Sequence, residues 1–315
     1  MLEARRHRPV KGLNMQTVQT IDRPIVESWR STEALLDLDG PIFDTCFNRK
    51  PFVIGHRLAG HPLFDLARLV ELSRKIPEQD VEYNAGDIPV NQDPHLTPRT
   101  GLSVEETIRR IEHCRSWMVL KRVDRDPEYR ELLEKCLGEI QVFSESHSPG
   151  MVNKQAFIFI SSPGSVTPYH MDPEYNFLLQ IRGTKTVHMF DGSDRAILSE
   201  LALEQYLSGG HRNLTFDETL NERATTFEMA PGLGLHFPVT CPHWVKNGPE
   251  VSISFSVTFQ TMDSERRAIV YTTNAYLRKL GLNPAPFEQS RLRDSSKYFG
   301  FRVARRARRI LLGES

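Results

Sequence analysis

Residues 167–185 read TPYHMDPEYNFLLQIRGTK. Apolar and polar residues alternate on either side of this stretch, which predicts β-structure, where successive side chains point to opposite faces. In an extended segment residues i and i+2 share a side, so His170 and Asp172 can present an imidazole and a carboxylate to one point. Two histidines and one carboxylate on one face of a metal leave three coordination positions open, and this stretch supplies two of those three groups. A histidine two residues from an aspartate also recurs by chance, on a surface strand decorated with charge. The company the pair keeps has to separate the two readings.

From about residue 155 the hydrophobic period is two. QAFIFIS, NFLLQIR, TKTVHMF, ATTFEM, GLGLHFP and EVSISFSVTFQ read as short strands separated by Gly, Pro and Asp turns. Strands of this length at such spacing predict an antiparallel sandwich or barrel. The sequence holds 11 histidines, and the candidates for a third ligand lie in PGLGLHFPVTCPHWVKNG. His243 is preferred, because Pro238 to Pro242 make a turn and His243 opens the next strand, where a barrel mouth would lie. His236 sits mid-strand and reads as a core or wall residue, and His188 reads as structural.

Thr167, Asn176 and Lys185 accompany the pair. A lysine on a hairpin is ordinarily a solvated edge charge. If it points inward it requires an anion, because a buried ammonium without a partner is costly. Thr167 and Asn176 then add neutral hydrogen bonds to the same anion. In VSISFSVTFQ, Val251, Ile253, Phe255, Val257 and Phe259 share one face, and Ser252, Ser254, Ser256, Thr258 and Gln260 share the other. That polar face reads either as the outside of a sheet or as the lining of a polar pocket. Tyr169, Tyr175 and Arg182 are close in sequence and are candidates for positioning a substrate or ordinary surface residues.

TPYHMDPEYNFLLQIRGTK followed by FPVTCPHWVKN resembles the JmjC or cupin-like iron(II)/2-oxoglutarate oxygenases. It is especially similar to the branch of the asparaginyl hydroxylase that inhibits hypoxia-inducible factor. The resemblance covers roughly residues 155–260 and implies a double-stranded β-helix, the eight-stranded jelly roll. It implies His170, Asp172 and His243 as ligands of Fe(II). It further implies that Lys185 and Thr167 bind the distal carboxylate of 2-oxoglutarate, with Asn176 close to that cosubstrate. Ser256 stands where some members carry an asparagine. The implied reaction consumes O2 and hydroxylates a protein side chain, a peptide or a small molecule. A metal cupin that does not use 2-oxoglutarate and a non-catalytic cupin-like binding module are the alternatives.

The rest of the 315 residues frames this core. KPFVIGH reads as a strand, 61–76 as a helix, 84–101 as a loop and SWMVLKRV as a strand. Ser103 and Glu106 form a capping box. Asp126 and Pro127 open a helix with Leu132, Leu133, Cys136, Leu137 and Ile140 on its apolar stripe. LSELALEQYLSGG reads as a helical insertion. After Gln260, Asp263 or Ser264 is expected to cap a helix with Ile269, Tyr276 and Leu280 on one face. The tail is amphipathic, with Phe299, Val303, Ala307 and Leu311 on one face and arginines mostly elsewhere. This organisation predicts a mixed α/β lead-in over 1–150, a jelly-roll core over 151–262 and a helical region over 263–315. By the same resemblance the C-terminal helices are expected to build a homodimer.

Forty basic residues balance forty acidic ones, so overall charge gives no basis for nucleic-acid binding. Cys46, Cys114, Cys136 and Cys241 show no CxxC spacing, which argues against a structural zinc site and fits reduced thiols in a cytoplasmic protein. The N-terminus is basic without an apolar segment behind it, unlike a secretory signal. No stretch reaches the roughly 18 apolar residues of a membrane span.

Overall fold

The computed structural model describes residues 34–312, and the N-terminal stretch read for a secretory signal lies outside them. The eight strands of the core are shared between two antiparallel sheets, switching sheet at every connection except β8–β9. They are β5 (Val152–Ser161), β6 (Val166–His170), β7 (Tyr175–Arg182), β8 (Lys185–Met189), β9 (Thr225–Met229), β10 (Leu233–Phe237), β11 (His243–Asn247) and β12 (Ser252–Gln260). The smaller sheet runs β6-β11-β8-β9, and β10-β7-β12-β5 form the middle of the larger one. Four strands facing four is the jelly-roll arrangement.

The lead-in widens the larger sheet at both edges. β1 (Leu36–Asp37) and β2 (Phe52–His56) extend it beyond β10, while β3 (Val81–Ala85) and β4 (Ser116–Leu120) extend it beyond β5. The helices α1 (Gly40–Cys46), α2 (Leu66–Ser73), α3 (Val104–Arg109) and α4 (Pro127–Ser144) belong to the same lead-in. Ser103 and Glu106 make the expected capping box, and the Asp126 carboxylate accepts from the Glu128 amide at the start of α4. Three short elements, β1, α1 and β3, escaped the sequence reading. Helix α1 is only seven residues long, and β3 starts before the stretch 84–101 that was expected to be a loop. The helix expected over 61–76 is a single 3-10 turn followed by α2.

Strand alternation divides the interior in two. Phe177 and Leu179 of β7 and Ile253, Phe255, Val257 and Phe259 of β12 face the helices, where they pack with Phe43, Leu69, Leu133 and Leu137. The opposite faces look into the barrel. There Leu178, Leu235 and Phe237 meet Val187, Met189 and Val245 from the smaller sheet. The serine face of β12 therefore lines the barrel interior, where Ser254 and Ser256 are buried. Buried hydroxyls need partners: Ser254 donates to Gln180 Oε1 at 2.6 Å and Ser256 to Asn176 Oδ1 at 2.7 Å.

Helix α5 (Glu200–Leu207) lies in the β8–β9 connection, and α6 (Met262–Lys279) and α7 (Arg291–Leu312) follow the barrel. The cap of α6 is Thr261, whose hydroxyl accepts from the Ser264 amide, so the helix begins before the expected Asp263 or Ser264. Ile269, Val270, Tyr271 and Ala275 are its buried residues, whereas Tyr276 and Leu280 are exposed, contrary to the expected stripe. The reason is that α6 packs against α5 and α7 through its Ile269, Val270, Tyr271 and Ala275 face, while Tyr276 lies at the margin and stacks loosely on Phe301 of α7. On α7, Tyr298 is buried and Phe299, Val303 and Leu311 are exposed. No helix among the described residues is long and apolar enough to cross a membrane.

Candidate metal centre

His170 ends β6 and His243 opens β11, and the two are direct cross-strand partners. Asp172 follows β6 in the turn toward β7, and its carbonyl accepts from the Thr240 amide at 2.8 Å. That bond ties the turn carrying the carboxylate to the Pro238–Pro242 turn that precedes His243. The imidazole rings lie 4.2 Å apart between centroids. Both Nε2 atoms stand 3.6 Å from Asp172 Oδ2, and one ligand atom from each residue falls within 4.8 Å of the others.

The two rings are held by their other nitrogens. His170 Nδ1 is 2.7 Å from the Pro168 carbonyl and His243 Nδ1 is 2.9 Å from the Cys241 carbonyl. A carbonyl can only accept, so each Nδ1 carries its proton and each Nε2 keeps its lone pair free. Backbone-held imidazoles of this kind are the usual supports of metal-binding histidines. Burial lowers His243 to about 3 and keeps it neutral near pH 7. For Asp172 burial acts upward, but His170, Arg212 and His243 outweigh it and hold the carboxylate well below its ordinary range. Two neutral nitrogen donors and one anionic oxygen suit a divalent ion such as iron(II), and the absence of a thiolate disfavours softer metals.

Further along the same sheet, rows of cross-strand neighbours can be followed from the registers. His170, His243 and Met189 form one row, Thr167, Val245 and Val187 the next, and Asn247 and Lys185 a third. Lys185 is 5% exposed and has no hydrogen bond or ion pair among the described residues. Burial alone lowers its amine from 10.5 to about 7. Thr167 is half-buried and lines a partly open cleft together with His170, Glu82, Asn84, Trp117 and Arg212. Asn176 is buried; Ser256 occupies its Oδ1, which leaves its Nδ2 without a partner among the described residues. Ser256 thus lies one hydrogen bond behind Asn176.

Other candidates fall elsewhere. His236 is fully buried on the helix side of β10, where its ring packs on Phe47, Phe52 and Phe177, so it is a wall residue. His188 stacks on Trp244 at 3.8 Å on the outer face of the smaller sheet. Tyr175 stacks between Phe47 and Phe259, Tyr169 is buried against Phe190 and Phe216, and Arg182 is exposed at the far end of β7. None of these three faces the cleft. The sequence reading missed Arg212, whose Nη1 lies 3.3 Å from Asp172 Oδ1. It reaches the site from the β8–β9 insertion, and no local periodicity marks it. It also missed Glu174, which burial and the charge of Asp172 push up to about 7.

The sequence profile of the cupin-like domain family matches residues 49–276. No curated protein is significantly similar. Among solved structures, the Escherichia coli ribosomal oxygenase YcfD in complex with cobalt and 2-oxoglutarate is 16% identical, with 86% of this chain and 68% of YcfD covered and a TM-score of 0.45. An X-ray structure of E. coli YcfD gives 17% identity, 85% and 68% coverage and a TM-score of 0.46. YcfD with cobalt and succinic acid gives 16%, 86%, 68% and 0.44. The profile match spans most of the sequence, including every strand of the barrel, and the chain belongs to the cupin-like domain family.

Proposed function

We propose that this protein is an Fe(II)/2-oxoglutarate-dependent oxygenase, acting as a hydroxylase of a protein side chain, a peptide or a small molecule. One observation carries the reading: the convergent His170, Asp172 and His243 share a barrel with a buried lysine that has no counter-ion among the described residues. Lys185 lies four residues along the sheet from the His243 row, roughly 13 Å at ordinary strand rise. An imidazole extends into this gap from one end and a four-carbon lysine stem from the other. What remains suits an extended dicarboxylate, one end at the metal position and the other at the ammonium.

In this reading His170, Asp172 and His243 hold Fe(II), and Lys185 and Thr167 receive the distal carboxylate. Asn176 donates through Nδ2 to the same cosubstrate, and Ser256 fixes the amide that does so. When bound, iron supplies the coupled oxidative decarboxylation of 2-oxoglutarate by O2 and the oxidation of the substrate. The protein residues orient the reactants and exclude water from an apolar floor of Val187, Met189 and Val245. Arg212 keeps Asp172 ionised, and the cleft lined by Glu82, Asn84 and Trp117 offers space for the substrate. The domain division 1–150, 151–262 and 263–315 accompanies this reading, as do a cytoplasmic location and reduced thiols. We also infer a homodimer through α7, supported by the outward Phe299, Val303 and Leu311; light scattering of Phe299→Asp would test it.

The test is anaerobic loading with Fe(II), followed by succinate release from 2-oxoglutarate with and without peptide and metabolite panels. Metal-dependent succinate release is expected. Metal binding with no consumption of 2-oxoglutarate would replace this reading with a metal cupin of another chemistry, and no metal binding would leave a non-catalytic module.

A further inference from the structure

Asn247 closes the polar end of the barrel and belongs to no ligand set considered so far. It is 3% exposed. Its Nδ2 donates to the Ser165 carbonyl at 3.1 Å and to Ser165 Oγ at 3.0 Å, which fixes the orientation of the amide. Its Oδ1 is buried and has no hydrogen-bond partner among the described residues. A buried amide oxygen left unpaired costs free energy comparable to a lost hydrogen bond, so its persistence calls for an occupant.

The sheet order says where that oxygen points. Ser165 lies next to β6, on one side of β11, and β8 lies on the other side. Nδ2 is spent on Ser165, on the β6 side, which leaves Oδ1 as the free end of the amide for a donor from β8. The residue directly across from Asn247 on β8 is Lys185. Both side chains are inward, because Val245 and Val187 in the neighbouring row are inward too. Among the described residues, an acceptor without a donor is therefore the cross-strand neighbour of a three-proton donor without an acceptor.

We propose that Asn247 is a positioning residue for Lys185: when the cosubstrate is bound, its amide oxygen takes one ammonium proton and aims the remaining two at the distal carboxylate. This rests on the 2-oxoglutarate reading given above. A neutral acceptor is what the geometry requires. It holds the amine without cancelling its charge, whereas a carboxylate in its place would neutralise the lysine and repel the anionic cosubstrate.

The experiment uses the full chain with Asn247→Asp and the near-isosteric Asn247→Leu, each with Lys185 intact and in a Lys185→Met background. Two readouts are taken: KM and kcat for 2-oxoglutarate in the Fe(II)-loaded protein, and the melting temperature of the metal-free protein. Asn247→Asp should raise KM about tenfold or more, the scale of a charged hydrogen bond, with a much smaller change in kcat. In the metal-free protein it should melt several degrees higher, relative to its parent, with Lys185 present than in the Lys185→Met background. Asn247→Leu should raise KM without any such dependence on Lys185. A KM for Asn247→Asp equal to the parent, or a melting shift independent of Lys185, overturns the assignment. If the unaltered protein consumes no 2-oxoglutarate, the cosubstrate reading has failed, and the melting comparison alone decides whether Asn247 and Lys185 are coupled. If Asn247→Asp does not fold, Asn247→Leu carries the test, and a parental KM in that variant overturns the proposal.

Discussion

Lys185→Met should make the cosubstrate-free protein more stable while destroying its affinity for 2-oxoglutarate. Burial lowers the Lys185 amine from 10.5 to about 7. The unfolded chain therefore holds a proton that the folded chain binds weakly. At about 1.4 kcal/mol per pH unit, the amine costs the fold about 4 kcal/mol at pH 7. The sign follows from linkage: the penalty is complete below about pH 7 and is relieved as pH climbs through the unfolded value of 10.5, so stability rises across that window. Methionine keeps the unbranched stem and removes the charge. At roughly 2 °C per kcal/mol for a domain of this size, the variant should melt on the order of 8 °C higher at pH 7. Scanning calorimetry from pH 6 to 10 should show the two curves converging toward the alkaline end. Added 2-oxoglutarate should raise the melting temperature of the parent alone. A variant that melts at or below the parent at pH 7, or a gap that does not close with pH, would refute the claim that Lys185 is buried without a counter-ion among the described residues.

Asp172→Ala should cut Co(II) or Fe(II) affinity at least about a hundredfold, the upper range for losing even a supporting group, as read by titration calorimetry, and should abolish turnover. Ser256→Ala should raise the 2-oxoglutarate KM by a few fold, because Asn176 loses the hydrogen bond that orients it; an unchanged KM would detach Ser256 from the site. Phe255→Ala should destabilise the fold by about 3–5 kcal/mol, as expected for a fully buried aromatic, measured by urea unfolding.

The parts of this architecture legible in the sequence are those written in local period. His170 and Asp172 are two apart, His243 follows a proline-bounded turn, and the two faces of Ser252–Gln260 alternate without a break. Alternation could not decide which face was inward. That depended on the helical coat, whose Phe43, Leu69 and Leu137 claim the apolar side of β12. Arg212 meets Asp172 across 40 residues of intervening chain, a contact no window of sequence encodes. Asn247 is different: it lies four residues from His243, on the same face of the strand, so the alternation that selected Ser256 would have reached it. Short elements such as β1 and α1 carry too few residues to register a period at all.

The turn between β7 and β8 carries an evolutionary consequence. Gly183 has φ +67°, and a side chain there would meet the Val251 carbonyl at 2.4 Å. Two residues later comes Lys185. Because strand side chains alternate, inserting or deleting a single residue in this turn would swing Lys185 outward and bring a neighbouring threonine into the barrel. In lineages descended from this protein the Arg182–Lys185 hairpin should tolerate no change in length while the lysine is under selection.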